Sequence, residues 1–275
     1  MPKDYDTWLS RFNTIIVDVN GIQTALYSAP MVSGSIPIVL FVHGINGDYH
    51  GLVPVAYELR DECRAIFVDL PGHGKTAIPK CDSIMPTLHD WSQKLIKVLH
   101  DYKLDATVVV GHSFGSYVAQ LSGVSRIGLL NAPFAASTLS RRGTAILDHT
   151  ASVVGKIYSS YPAMISRGHW LMHSRTKESD AIIAWSSSLT HVTDKQFKFQ
   201  TRFAAAASLE NIMDILVLAD VPKLLIVLSK YDRIVDNASV HLNQLPDAMV
   251  TTLSTDHVSI FEMPARVADE IRRLF

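Results

Sequence analysis

The sequence predicts an α/β protein: a mostly parallel, eight-stranded twisted sheet flanked by helices, with a helical cap inserted after the sixth strand. Three observations lead there. Short apolar runs bounded by turn residues recur along the 275-residue chain, stretches of helical 3/4 spacing alternate with them, and one long interval holds no convincing strand. Alternating strands and helices build parallel sheets through right-handed crossovers. With 48% hydrophobic and 19% charged residues, the chain has the apolar side chains to fill such a core and is far from a disordered composition.

The strands come in order. Thr14–Val19 and Ile22–Tyr27 flank Asn20-Gly21, a dipeptide suited to a tight hairpin, and form an antiparallel lead-in. Pro37–Val42, Ala65–Leu70, Ala106–Val110 and Arg126–Leu130 follow, then Pro222–Leu228 and Ala248–Leu253. The runs Ile38-Val39-Leu40-Phe41-Val42 and Thr107-Val108-Val109-Val110 are apolar on both faces, as central strands covered by helices must be. Thr87–His100 places Leu88, Trp91, Leu95, Val98 and Leu99 on one helical face, and Val267–Phe275 closes the chain in the same manner.

Between Leu130 and Pro222 the chain spends roughly 80 residues where a crossover needs far fewer. Helical segments are expected at Thr144–Tyr158, Asp180–Ser187 and Asp194–Ala207, with Tyr158, Tyr161, Trp170, Met172 and Trp185 as apolar content. The division is therefore a core of residues 1–132 and 215–275 and a cap of residues 133–214. A cap in this place covers the C-terminal ends of the strands, where open α/β sheets bind ligands.

Charge narrows the function. With 25 Lys+Arg against 26 Asp+Glu there is no basic excess to displace counterions, so nucleic acid is not an expected partner. Cys63 and Cys81 make neither a disulfide framework nor a metal set. Residues 1–12 mix both charge signs without an apolar core, so no signal peptide is expected. The apolar run Ile215–Leu228 is broken by Asp220, Pro222 and Lys223, so no membrane span is expected either, and the expected location is cytoplasmic.

The chemistry lies in Gly111-His112-Ser113-Phe114-Gly115, set between a strand and a helix. A sharp strand-to-helix turn holds a serine at its apex, and glycines are needed where the turn leaves no room for Cβ. A serine hydroxyl needs a base, and the base a carboxylate. Of twelve histidines, His257 follows the last strand and precedes the final helix. His100 and His241 fall in helices, and His112 is read as structural. Asp232 and Asp236 both follow the seventh strand; the order Ser…Asp…His favours Asp232, while Asp236 suits a helix N-cap. The oxyanion donors are expected at the backbone N–H of Phe114 and of Ile45, which follows His43-Gly44; His43 is read as bracing that loop.

Four motifs in order carry a resemblance: His43 to Gly47 (HGING), Asp69 to Thr76 (DLPGHGKT), Gly111 to Gly115 (GHSFG) and Asp256 to Pro264 (DHVSIFEMP). The chain resembles capped serine hydrolases of the α/β-hydrolase superfamily, esterase- and lipase-like. That resemblance implies a Ser113–His257–Asp232 triad; the aromatic and Met content of the insertion points to a small, largely apolar substrate, and no cofactor or metal is expected. Relatives carry Ser where Thr76 stands and Gly where Asp256 stands, and a second carboxylate beside His257 would compete to orient it. Related folds also use the triad for C–C hydrolysis, lyase or perhydrolase reactions, or keep it in low-turnover receptors. Haloalkane dehalogenases and epoxide hydrolases are disfavoured, because they carry aspartate where Ser113 stands.

Three other patterns carry less. Gly74-Lys75-Thr76 lacks the glycine that a phosphate loop needs at Asp69. His169 and His173 have zinc-helix spacing, but Trp170 stands where that motif has Glu. Arg141, Arg142, Arg167, Arg175, Lys177 and Arg202 read as a solvated face.

Overall fold

A computed structural model describes residues 4–30, 36–80, 84–133, 168–193, 195–200, 221–237 and 242–275, with only the backbone of residues 84–87. The expected helix Thr144–Tyr158 lies outside these residues, as do most of Asp194–Ala207 and the residues Cys81, Tyr161, Arg141, Arg142, Arg167, Arg202 and His241.

Eight strands form one sheet: β1 Asn13–Val19, β2 Ile22–Ser28, β3 Ile38–Val42, β4 Arg64–Val68, β5 Val108–His112, β6 Arg126–Leu130, β7 Lys223–Ser229 and β8 Met249–Leu253. Their order is β1-β2-β4-β3-β5-β6-β7-β8. β2 runs antiparallel to both β1 and β4, and every pairing from β4 through β3 to β8 is parallel. Asn20 and Gly21 take positive φ, 53° and 79°, in the β1–β2 hairpin.

Two strands differ from the sequence expectation by two residues at an end, and the others by at most one. The fifth strand begins at Val108 rather than Ala106 and continues through Gly111 and His112, which pair with Leu129 and Leu130. The fourth ends at Val68 rather than Leu70, because Asp69 leaves the sheet to organise the loop after it.

Helices cover both faces. α1 is Tyr5–Leu9, α2 Val53–Glu58, α3 Ile84–Asp101, α4 Gly115–Leu121, α5 Lys177–Leu189, α6 Ser259–Glu262 and α7 Pro264–Arg272. Alternate residues of β3 point to opposite faces, as the two-residue repeat of a strand requires. Leu40 and Val42 join Val109 beneath Leu88, Trp91, Leu95 and Leu99 of α3. Val39 and Phe41 join Val110 beneath α2 and the Val267 and Ile271 side of α7. Trp91 is fully buried, and its Nε1 donates to Thr24 Oγ1 at 3.0 Å. α7 starts earlier than expected because Pro264 opens its first turn, where a missing N–H costs nothing.

The described part of the insertion after β6 is largely helical. Besides α5, residues 168–170 and 195–200 are helical. α5 opens on a capping box between Thr176 and Ser179, and Trp185 Nε1 donates to Asp6 Oδ1 at 2.9 Å, tying α5 to α1. The helical turn at 195–200 lies on the loop after β4: Gln196 and Gln200 side chains donate to Gly74 O (3.0 Å) and Gly72 O (2.9 Å). Among the described residues no helix is long and apolar enough to cross a membrane.

Candidate active site

The C-terminal ends of β3, β5, β6, β7 and β8 converge on one edge of the sheet, so the loops that leave them share one crevice. Ser113 leaves β5 there with φ 49°, a left-handed conformation that an L-residue adopts only when its surroundings enforce it. Glycines make the turn possible. A Cβ at Gly111 would sit 2.3 Å from Gly115 O, and a Cβ at Gly115 would sit 2.2 Å from Val42 O, so backbone meets backbone at both positions. Ser113 N donates to Leu130 O at 2.8 Å, which fixes the turn on β6.

The three side chains singled out in the sequence meet. His257 Nε2 lies 2.8 Å from Ser113 Oγ, and its Nδ1 lies 3.0 Å from Asp232 Oδ2 and 3.2 Å from Oδ1. All three are buried or nearly so. Asp232 Oδ1 also accepts from Ile234 N and Val235 N, each at 2.8 Å. Burial alone would raise this carboxyl. The His257 ring and the two amides outweigh it and hold Asp232 below the ordinary carboxylate range.

The loop after β3 sits against the serine: a Cβ on Gly44 would be 3.2 Å from Ser113 Cβ, and Ile45 follows directly. His43 braces this loop as expected. Its Nε2 accepts from Leu70 N at 3.1 Å, which puts the ring proton on Nδ1, 2.7 Å from Gly44 O. His112 is also structural. Its Nε2 donates to His257 O at 3.0 Å, and burial followed by the neighbouring His257 pushes its pKa down to about 3. His100 pairs with Asp105 at the surface.

Other side chains in the site were not singled out in the sequence. Asn131, in a left-handed conformation (φ 51°) just past β6, donates through Nδ2 to Asp232 Oδ2 (3.1 Å) and Ser229 Oγ (2.6 Å). Its Oδ1 accepts from Ser259 Oγ at 2.6 Å, and Ser229 Oγ meets Thr255 Oγ1 at 2.7 Å. A polar residue at the carboxyl end of a parallel strand was the available signal for Asn131. Asp256 does not compete for the His257 ring. Its Oδ1 accepts from the backbone N of Arg233 (2.9 Å) and of His257 (2.7 Å), and its Oδ2 lies 2.8 Å from Arg233 Nε.

The described residues of the remaining patterns make contacts within the chain. Asp69 accepts from Tyr27 Oη (2.7 Å), Lys75 N (3.0 Å) and Tyr49 N (3.1 Å), and Thr76 Oγ1 donates to Asp69 O at 2.7 Å. The loop at Gly74-Lys75-Thr76 is thus wrapped around the chain's own carboxylate. His169 faces Asp180 at 3.3 Å, and His173 stacks on Tyr231 at 3.6 Å between ring centroids. Arg175 pairs with Asp180 at 2.9 Å. Cys63 is free and buried.

Comparison with known proteins agrees with this architecture. The model of the alpha/beta hydrolase family matches residues 39–270. Among curated relatives, a 2-succinyl-6-hydroxy-2,4-cyclohexadiene-1-carboxylate synthase of Escherichia coli O17:K52:H18 is 33% identical over 92 residues, 34% of each chain. Esterase Rv0045c of Mycobacterium tuberculosis is 35% identical over 107 residues, 39% of this chain and 35% of its own. These matches span about a third of the relatives' length. A thermophilic esterase from Thermogutta terrifontis superposes with TM-score 0.72 at 20% identity, over 95% of this chain and 97% of its own, a likeness of fold.

Two outcomes follow. Gly115→Ala drives a methyl into Val42 O and is expected to cost about 3 kcal/mol in urea unfolding, whereas Gly51→Ala, with open space around its Cβ, stays within about 0.5 kcal/mol. Asp232 keeps its charge to lower pH in the folded chain than in the unfolded one, where its pKa is about 3.9. The stability this gives is complete above the unfolded value and is lost as pH falls through the lowered folded value. The urea stability gap between the wild type and Asp232→Asn should therefore narrow between about pH 6 and about pH 3; a constant or widening gap contradicts the assignment.

Proposed function

Because the chain belongs to the alpha/beta hydrolase family, we propose that it is a serine hydrolase cleaving an ester, thioester or related acyl bond of a small, largely apolar substrate. The reading rests on one observation above all: Ser113 Oγ, His257 and Asp232 form a continuous hydrogen-bonded line of 2.8 Å and 3.0 Å.

His257 Nε2 takes the proton of Ser113 as Oγ attacks the substrate carbonyl. The backbone N–H groups of Ile45 and Phe114 receive the oxygen that becomes negative, and one such donor is typically worth about 3–4 kcal/mol of barrier. The imidazolium that forms is stabilised by Asp232, which stays ionised. It then protonates the leaving group, and the acyl-enzyme remains on Oγ. Water activated by His257 releases the acid and restores Ser113. His112 takes no part as a base; its low pKa keeps it a neutral donor to the His257 carbonyl. The apolar specificity is inferred from the aromatic and Met content of the cap, taken as residues 133–214.

A second reading keeps the same three residues and changes the bond broken. It is favoured by the partial match to a relative named as a carboxylate synthase, and it accommodates C–C hydrolysis or a lyase step.

The test joins a fluorophosphonate probe with substrates. The wild type should be labelled at Ser113 and should turn over short p-nitrophenyl esters. Ser113→Ala should lose labelling and about a millionfold of kcat. Equal labelling of both chains would end the proposal. Turnover of a vinylogous diketone with no ester hydrolysis would select the second reading.

A further inference from the structure

Asp256 is the residue by which the fourth motif departs from its pattern, and the proton relay does not use it. It is completely buried, next to the base in sequence and beside the acid's loop in space. Its Oδ1 accepts two backbone amides at once: that of His257, the base, at 2.7 Å, and that of Arg233, which directly follows the acid Asp232, at 2.9 Å. One oxygen thus pins together the two loops whose side chains must meet at Nδ1. The other oxygen holds Arg233 Nε at 2.8 Å.

From there the connections reach the cap. The Arg233 guanidinium donates to the carbonyl oxygen of Trp170 and, at 3.4 Å, to that of Met172. A parallel strap runs through Glu262: its Oε1 accepts from Asp256 N at 2.7 Å and its Oε2 accepts from Ser174 N at 2.8 Å. Both straps leave the same cap stretch, residues 170–174, and both end on Asp256. His173 stacks on Tyr231 between them, at the head of the Asp232 loop.

We propose that Asp256 is a positioning residue that locks the acid and base loops in register and links that register, through Arg233 and Glu262, to the docking of the cap. The proposal rests on the serine-hydrolase reading above. A staple of this kind acts on reaction geometry rather than on substrate contact. Its loss therefore lowers the rate of attack by Ser113 and leaves KM nearly alone, since misplacement of about 1 Å costs on the order of 100-fold. A residue needed only for folding would lower the amount of active protein instead.

The experiment measures kcat and KM for p-nitrophenyl butyrate, together with the phosphonylation rate of Ser113, in soluble full-length variants whose circular dichroism matches the wild type. Asp256→Gly is expected to lower kcat and the phosphonylation rate by about 100-fold with KM within about twofold. Asp256→Asn, which keeps an oxygen able to accept both amides, should recover most of that loss. Arg233→Met should lower the phosphonylation rate alone but add little to Asp256→Gly, because it acts through the same residue. Where Asp256→Gly does not fold, Asp256→Ala against Asp256→Asn makes the same comparison. Wild-type rates in a folded Asp256→Gly or Asp256→Ala overturn the proposal and leave the hydrolase reading standing, as do equal losses in the Gly and Asn variants. Fully additive losses with Arg233→Met overturn the link to the cap. A wild-type chain that neither reacts with the phosphonate nor hydrolyses the ester overturns both readings.

Discussion

Backbone crowding around Ser113 governs the rest of the molecule. The turn from β5 into α4 brings the carbonyl of Val42 and the amide of Ser116 so close that Gly115 and Gly111 have no space for a Cβ, with contacts at 2.2 Å and 2.6 Å. Only with both glycines can the chain reverse so sharply that Ser113 takes φ 49° and lifts its hydroxyl above the strand ends. The strain is held by neighbours on both sides: β3 supplies Val42 and the Gly44 loop, and β6 supplies the Leu130 carbonyl. The burial of the central strands β3 and β5 on both faces is what makes that enforcement possible, since they have no freedom to relax.

Three buried carboxylates show how environment divides their tasks. Asp232 is lowered despite burial, because a histidine ring and two amides favour its charge. Asp69 is raised, chiefly by burial, and serves as the centre of a loop that wraps it with a tyrosine hydroxyl and backbone amides. Asp256 is raised as well, burial outweighing the amides of His257 and Arg233 and the Arg233 charge. The same side chain type thus orients a base, shapes a loop and joins two loops, according to the donors each fold position provides.

The sequence made the fold legible where periodicity was long or runs were apolar on both faces, as in β3, β5 and α3. Short elements escaped it. α1 and α2 span only five and six residues, too short for a 3.6-residue pattern to stand out. The end of β5 lies beyond the sequence expectation because Gly111 and His112 have turn chemistry while their backbone still pairs with β6. Ser113, Asp232 and His257 were readable because each follows a strand, and strand ends share an edge in a parallel sheet. Asn131, Arg233 and Glu262 were not, because their roles depend on register between loops distant in sequence: Asn131 meets Asp232, and Ser174 meets Glu262. The effect of Asp256 could be suspected but not assigned, since its orientation depends on the Arg233 amide, which only the fold brings near.

The proposed hydrolase depends on a serine forced into position to receive an acyl group, with charge caught by two backbone amides. A crystal structure of the chain inactivated by a small alkyl phosphonate measures that arrangement directly. The expected result is phosphorus bonded to Ser113 Oγ, with the phosphonyl oxygen within hydrogen-bond distance of both Ile45 N and Phe114 N and with His257 Nε2 facing the leaving-group side. Phosphorus on another residue, or an oxygen turned away from both amides, would contradict it.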